Sequence, residues 1–523
     1  MGFNIIPNTR MKLRFRPLSI SLSDRIAILL SLFAVLASVF VAERVYEQMP
    51  HLEDEMAYVW QAQAIARGQL TVPSPPEPKS FLIPFVVDYQ GQRFGKYPLG
   101  WPVLLSFGEL AGLRFLVNPL LAGFGFWLIY RLGKQVFSQT VGLLAAGLTL
   151  TSPFFLMVSG SLLSHPLGLV LSTVFALAWL DGFANPTRIA RWMPIVTAAA
   201  SLGLLILTRP FSAIAIALPF GVHGIYLFMR GDRRIRIGLV GFGIIVLGMA
   251  SIHFLWQYAV TGDPLLNPYT LWWSYDKVGF GTGHGRIEGG HTLHQAWINT
   301  RHSLKVGYSD LFGWGTFSWI FLPVGILAIW RNWRGLLLSL VFPSLVVFYL
   351  AYWIGSSLFG PRYFYEGLYS LTLTSAAGIA FLAGWPVEPG IAFPQFSGWG
   401  KFRPLFITAC VALLVSANLI FYTPLRLQGM FGLYGIQRSR LEPFQAETAQ
   451  NLTPALVFVH LSGKWVQYGS LLELQDPFLD TPFILAISRG EIIDQRLAQN
   501  FPDRNIWHYY PSEPYKFYSY PKD

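Results

Sequence analysis

Apolar runs of about twenty residues recur along most of this 523-residue chain, each long enough to cross the hydrocarbon core of a bilayer as a helix. Hydrocarbon offers no partner to a backbone N–H or C=O, so such runs are forced into helices that satisfy their own hydrogen bonds. Hydrophobic residues make up 53% of the chain and charged residues only 12%, against roughly a quarter charged in soluble domains. The expected fold class is a polytopic α-helical membrane protein with about eleven transmembrane helices. Spans are expected at 24–43, 114–133, 139–158, 165–183, 193–209, 211–229, 237–257, 315–330, 335–354, 365–385 and 404–423. A transmembrane domain then occupies 1–424, and 425–523 forms a separate unit.

The net charge of +11 falls mostly at the ends of these runs, which gives no reason to invoke nucleic acid. Arg10, Lys12, Arg14, Arg16 and Arg25 precede or open the first run. That run is long for a signal peptide, and a cut after Ala42 would have the bulky Phe40 at a position that wants a small residue, so a retained span is expected. Arg131 and Lys134, Arg188 and Arg191, the "RGDRRIR" of 230–236, Arg331 and Arg334, and Lys401 and Arg403 then mark the cytoplasmic side. Loops 44–113 and 258–314 and the C-terminal tail face outward. The short apolar stretch 97–113 carries Glu109 and reads as an interfacial or re-entrant helix; as a full span it would invert every later orientation. In the tail, "ALVFVH", "PFILAI" and "NIWHYY" read as strands and "EIIDQRLAQNF" as a helix, a small α/β unit. The single cysteine, Cys410, permits no internal disulfide.

The segment "HLEDEMAYVWQAQAIARG" (51–68) follows the first span directly and places Glu53, Asp54 and Glu55 close to lipid. Ionised carboxylates there need a partner, a wet cavity or a function. Helical phase puts Asp54, Tyr58 and Gln61 on one face, while Met56, Val59 and Trp60 fall elsewhere and are expected on the bilayer surface. The acids also suit the N-terminus of a helix, so capping is an alternative role. In "GKYPLGWP" (95–102), Lys96 precedes Tyr97 and Pro98, and a rigid turn there would hold its ammonium at the membrane surface. Snorkelling is the alternative, although outward loops are not where spare cations collect. An acid that can take a proton and a cation that can hold a phosphate share one loop.

"DEMAY" (54–58) fits the DExxY pattern that follows the first span of GT-C glycosyltransferases, and "KYPLGW" (96–101) resembles their lysine–proline segment. "SGSLLSHPLGLVL" (159–171), "LTRPFS" (207–212) and "FGPRYFYE" (359–366) are similar to stretches at their fourth span, fifth-to-sixth turn and late Arg-Tyr loop. The set resembles the bacterial group related to protein O-mannosyltransferases and the lipid A aminoarabinose transferase, over residues 25 to 385. The resemblance implies a GT-C fold and inverting transfer of a sugar from a polyprenyl-phosphate donor to a lipid, glycan or protein acceptor. It places the protein in a bacterial inner membrane, among membrane lipids, with the active site and C-terminus extracytoplasmic. It implies Asp54 as general base, with Glu55 beside it as the second catalytic candidate. Lys96 would hold the donor phosphate, helped by Arg209 and Arg362, since an arginine fork suits phosphate oxygens. Tyr58, Tyr97, His165, Tyr363 and Glu366 complete the expected substrate-binding set. Several relatives carry an aspartate where this chain has Ser164-His165, which puts any shared acceptor or metal role there in doubt.

The glycine-rich "GFGTGHGRIEGGHTLH" (279–294) contains three histidines, with His302 beyond, at spacings that match no standard zinc site. It reads as a flap over the donor or a plain flexible loop. No cofactor is required by these residues, a divalent cation stays an open alternative, and no metal ligand is assigned. Most of Trp272, Trp273, Trp314, Trp319 and Trp353 are expected in the interfacial aromatic belt. The rival reading is a transporter or flippase for a lipid-linked or amphiphilic substrate. It would favour paired halves and ionisable residues within the spans, whereas here the halves look unlike and the charges of interest lie in outer loops. No Rossmann fingerprint or Asp-x-Asp pair supports a nucleotide-sugar donor.

Overall fold

The computed structural model describes residues 21–183, 192–388, 400, 402–463 and 465–522. Arg10, Lys12, Arg14, Arg16, Arg188, Arg191 and Lys401, all part of the positive-inside pattern, lie outside the described residues. The first apolar run forms the helix Leu22–Arg44, opened by a capping box in which Ser21 and Asp24 exchange backbone and side-chain hydrogen bonds. Asp24 also accepts from Lys134 at 2.7 Å and Tyr130 at 2.8 Å, tying the first helix to Val117–Val136.

Among the described residues, six helices are long and apolar enough to cross a membrane, or eight if two bent pairs each count as one span. Three expected spans form helices just short of that length, Trp192–Thr208, Trp333–Tyr349 and Leu368–Ala383. The expected span 139–158 is broken into Gln139–Leu150 and Pro153–Gly160, inclined at 62°. Ser152 caps the second piece by accepting from the Phe155 N–H at 3.2 Å, and Pro153 has no N–H with which to continue the first. The stretch before 315 also departs from an irregular loop: Leu293–Asp310 is helical and meets Gly315–Ile329 at 97°. The segment 97–113 holds the eleven-residue helix Gly100–Leu110, too short to span, with Glu109 paired to Arg114 at 3.2 Å.

The first long loop is ordered by the helix Glu53–Ala66 and an antiparallel sheet of β1 (Val72–Pro73), β2 (Val86–Tyr89) and β3 (Gln92–Gly95), in the order β1-β3-β2. Gln90 and Gly91 connect β2 to β3 with φ of 51° and 75°, the doubly left-handed turn that matches strand twist and for which glycine is suited. The hairpin delivers Lys96 immediately after β3, where its N–H donates to the Phe85 carbonyl at 3.0 Å.

The tail forms β4 (Ala455–Val459), β5 (Phe483–Ile487), β6 (Asn505–Tyr509) and β7 (Phe517–Tyr518), in the order β5-β4-β6-β7. The first three are parallel, and the expected helix, Glu491–Ala498, connects β5 to β6. This unit rests on the first loop. Phe81 enters a cluster with Leu456, Phe458, Ile484, Ala486 and Leu497. Arg67 reaches Asp476 and Asp480, Arg114 reaches Glu473, and Glu77 meets Arg496 at 3.0 Å. Met56, Val59 and Trp60 are accordingly not on a bilayer surface. They are buried at 3%, 6% and 3% exposure within the core that includes Tyr468, Leu471 and Phe483 of the tail.

Candidate active site

Leu52, at the cap position of the acidic helix, has no side chain able to accept a hydrogen bond, and Glu55 supplies only the reciprocal half of a capping box by turning back to the N–H groups ahead of the helix. Its Oε2 accepts from the His51 and Leu52 N–H groups at 2.8 and 2.9 Å, and its Oε1 from the Leu162 N–H at 2.7 Å. Burial pushes the Glu55 carboxyl up to about 7, against the pull of these three donors. Glu55 therefore faces protein, pinning the loop that leads to Ser164 and His165, and does not line the cavity where the other expected residues meet.

Asp54 points the opposite way, into a cavity of about 270 Å³. Its Oδ1 accepts from the Tyr97 hydroxyl and its Oδ2 from Arg362 Nη2 at 3.1 Å. Burial raises the Asp54 carboxyl, but Arg362, the Tyr97 hydrogen bond and Lys96 outweigh it and hold the group below its ordinary value. Glu53, on the same rim, is pushed up by burial and by the Asp54 charge. The expected face of the helix is realised: Tyr58 packs on Tyr97 with ring centres 4.5 Å apart, and Gln61 Nε2 donates to the Tyr97 carbonyl at 2.9 Å.

Lys96 does not snorkel. It is 3% exposed, with Nζ 3.0 Å from Asp276 Oδ2 and 3.6 Å from the centre of the Phe85 ring. Tyr269 and Trp273 add further ring faces at 4.8 and 5.0 Å. Burial lowers the Lys96 ammonium, and Asp276 opposes that shift. Arg209, fixed just ahead of Pro210 at the first turn of a helix, reaches Glu366 at 2.5 Å, Ser164 Oγ at 3.3 Å and the Tyr349 hydroxyl at 3.2 Å. Glu366 also accepts from His165 Nδ1 at 3.0 Å. Gly168 permits this approach, since a Cβ there would lie 2.7 Å from Glu366 Cγ.

The cavity wall thus gathers Asp54, Tyr58, Lys96, Tyr97, His165, Arg209, Arg362 and Tyr363 from five separate stretches. Glu366 stands behind it, holding His165 and Arg209. Three cations meet three carboxylates one to one: Lys96 with Asp276, Arg209 with Glu366 and Arg362 with Asp54. Sequence reasoning missed Asp276 and the aromatic wall of Tyr269, Tyr349, Tyr352, Trp273 and Trp353. The one legible signal was an acid set among aromatics in "LWWSYDKV". Trp273 and Trp353 line this cavity and Trp314 is buried, so these three leave the interfacial belt. The glycine-rich loop closes through a bridge between Gly281 and His291, with His291 Nε2 donating to the Leu350 carbonyl at 2.8 Å. Among the described residues, no group of three or more His, Cys, Asp or Glu is arranged to hold a metal ion.

No protein-family model and no curated protein matches the chain. Its fold superimposes on ArnT from Cupriavidus metallidurans bound to undecaprenyl phosphate with a TM-score of 0.56, at 13% identity, over 92% of this chain and 89% of that one. For the same protein in the apo state the TM-score is 0.54, at 15% identity, over 91% and 88%. The chain shares the fold of these two structures. At this identity the likeness fixes the architecture and leaves the roles of individual residues to the geometry above.

Proposed function

We propose that this protein transfers a sugar from a polyprenyl-phosphate-linked donor to a hydroxyl of a lipid, glycan or protein acceptor. The observation that carries the reading is the convergence of Asp54 with Lys96, Arg209 and Arg362 on one cavity beside the ends of apolar helices. A structural neighbour binds undecaprenyl phosphate, which supports a lipid-linked donor of that kind here.

In this mechanism Asp54 takes the proton of the acceptor hydroxyl as its oxygen attacks the anomeric carbon. The bond from that carbon to the phosphate oxygen breaks on the opposite face, its electron pair leaves with the phosphate, and the configuration inverts. The departing phosphate gathers negative charge, which Lys96, Arg209 and Arg362 offset in a largely desolvated setting. His165, held by Glu366, stands where it can hydrogen-bond acceptor or phosphate. Tyr58, Tyr97 and Tyr363 shape the sugar site, and Glu55 acts through the loop it pins. The accompanying topology has eleven spans, a cytoplasmic N-terminus, and the site and C-terminal unit outside a bacterial inner membrane.

Mass spectrometry of lipid-linked sugars and surface glycans in a deletion strain tests the reading. Accumulation of one lipid-linked sugar with loss of its surface product is expected. Unchanged pools of both would contradict it.

A further inference from the structure

Lys96 and Asp276 are 180 residues apart in sequence and form a buried pair, with side chains 3% and 1% exposed. Asp276 is tied on its other oxygen by the Trp353 indole N–H at 3.0 Å and the Tyr352 hydroxyl at 3.2 Å. Each of these four residues lines the cavity. The carboxylate is therefore fixed by two neutral donors, and the ammonium is the third group it holds.

We infer that Asp276 is the positioning residue for Lys96, fixing its ammonium, with the charge intact, in the aromatic cage at the cavity wall where the donor's phosphate is received. This rests on the reading of Lys96 as a phosphate ligand. A lysine shut among Phe85, Tyr269 and Trp273 loses hydration on most sides, and ring faces replace only part of it. Burial lowers Lys96, while Asp276, Asp54 and Glu53 each oppose the shift, Asp276 most strongly. The other charged group on this cage is Arg286, 5.4 Å from the Trp273 ring. Burial raises Tyr97 and Tyr269 well above the ordinary tyrosine range, so neither supplies a competing titration below it.

Lys96 binds phosphate while protonated, so affinity falls as pH rises through its value in the folded protein. Removing the Asp276 charge lowers that value further and moves the alkaline loss of binding to lower pH. An opposite charge at this range is worth about one to three pH units. A plain structural tie would lower affinity without moving the midpoint.

The test is equilibrium binding of undecaprenyl phosphate to the full-length protein in detergent micelles, in a pH series run on wild type, Asp276→Asn, Asp276→Glu and Lys96→Ala. Ionisation of the probe is common to all four. Asp276→Asn is expected to lose binding at a midpoint about one to three pH units below wild type and to regain it as pH falls. Asp276→Glu keeps the charge and should keep the midpoint. That variant also serves if the Asn protein fails to fold, and a shifted midpoint in it would overturn the inference. So would an unmoved midpoint or tighter binding in Asp276→Asn, the latter marking Asp276 as a competitor of the phosphate. Weak binding by Lys96→Ala combined with an unmoved Asp276→Asn midpoint overturns the positioning role alone. Wild-type binding by Lys96→Ala overturns the phosphate role of Lys96 and the inference with it.

Discussion

Arg362 Nη2 donates to Asp54 Oδ2 across 3.1 Å, joining residues 308 positions apart and closing the cavity between the first loop and the late Arg-Tyr turn. The contact keeps the carboxylate charged despite its burial. It also means that a phosphate entering the cavity competes with Asp54 for one guanidinium.

Replacing Arg362 by alanine removes the strongest group holding Asp54 down and leaves burial, which acts upward. A base works when deprotonated, so the acid-side loss of transfer activity should begin at higher pH than in wild type. The expected displacement is about one to three pH units, read from kcat/KM against pH. An acid limb at the wild-type position would show that Arg362 does not set the state of Asp54.

Glu55 gives a prediction about stability rather than chemistry. Its folded value of about 7 lies above the ordinary 4.5, so between these values the folded protein binds more protons than the unfolded chain. This group's contribution to stability is therefore present at low pH and declines as pH rises from about 4.5 to about 7. Glu55→Gln removes that dependence, but it turns an amide N–H₂ toward either the Leu162 N–H or the His51 and Leu52 N–H groups. Leaving a buried donor unmet costs about 1–3 kcal/mol. Thermal unfolding in a pH series should show a lower and flatter profile for the variant, with polyprenyl-phosphate binding less affected than stability. Loss of donor binding at unchanged stability would return Glu55 to the site.

The sequence made the helices and the tail legible because both write their pattern locally. The strands β4, β5 and β6 and the helix Glu491–Ala498 each carry their own apolar run or period. The face of Asp54, Tyr58 and Gln61 followed from helical phase alone. The bend at Ser152-Pro153 was also written locally, in a cap residue followed by proline, inside a run whose hydrophobicity concealed it. The pairing of Asp276 with Lys96 was not legible. The two lie 180 residues apart, and nothing in "SYDKV" reports that the chain folds Asp276 against a buried lysine. The burial of Met56, Val59 and Trp60 was hidden for a related reason: an apolar face next to a membrane reads the same whether lipid or the tail covers it.

The proposed topology places the tail outside, on the face of the first loop that it contacts through Phe81 and Arg67. Reporter fusions after residue 430 should be active on the extracytoplasmic side and silent in the cytoplasm. Cytoplasmic activity would invert the later loops. Because the tail rests on the first loop, it would also carry the cavity to the other face.

In the proposed mechanism Asp54 is the group that takes the acceptor's proton. Asp54→Asn keeps the shape and leaves an oxygen able to accept from Tyr97 or Arg362, while removing basicity. The decisive measurement is single-turnover sugar transfer by the purified variant, with donor binding measured on the same preparation. Retained donor binding and a rate lowered by about 10²–10⁴ are expected. Transfer at the wild-type rate would contradict that mechanism.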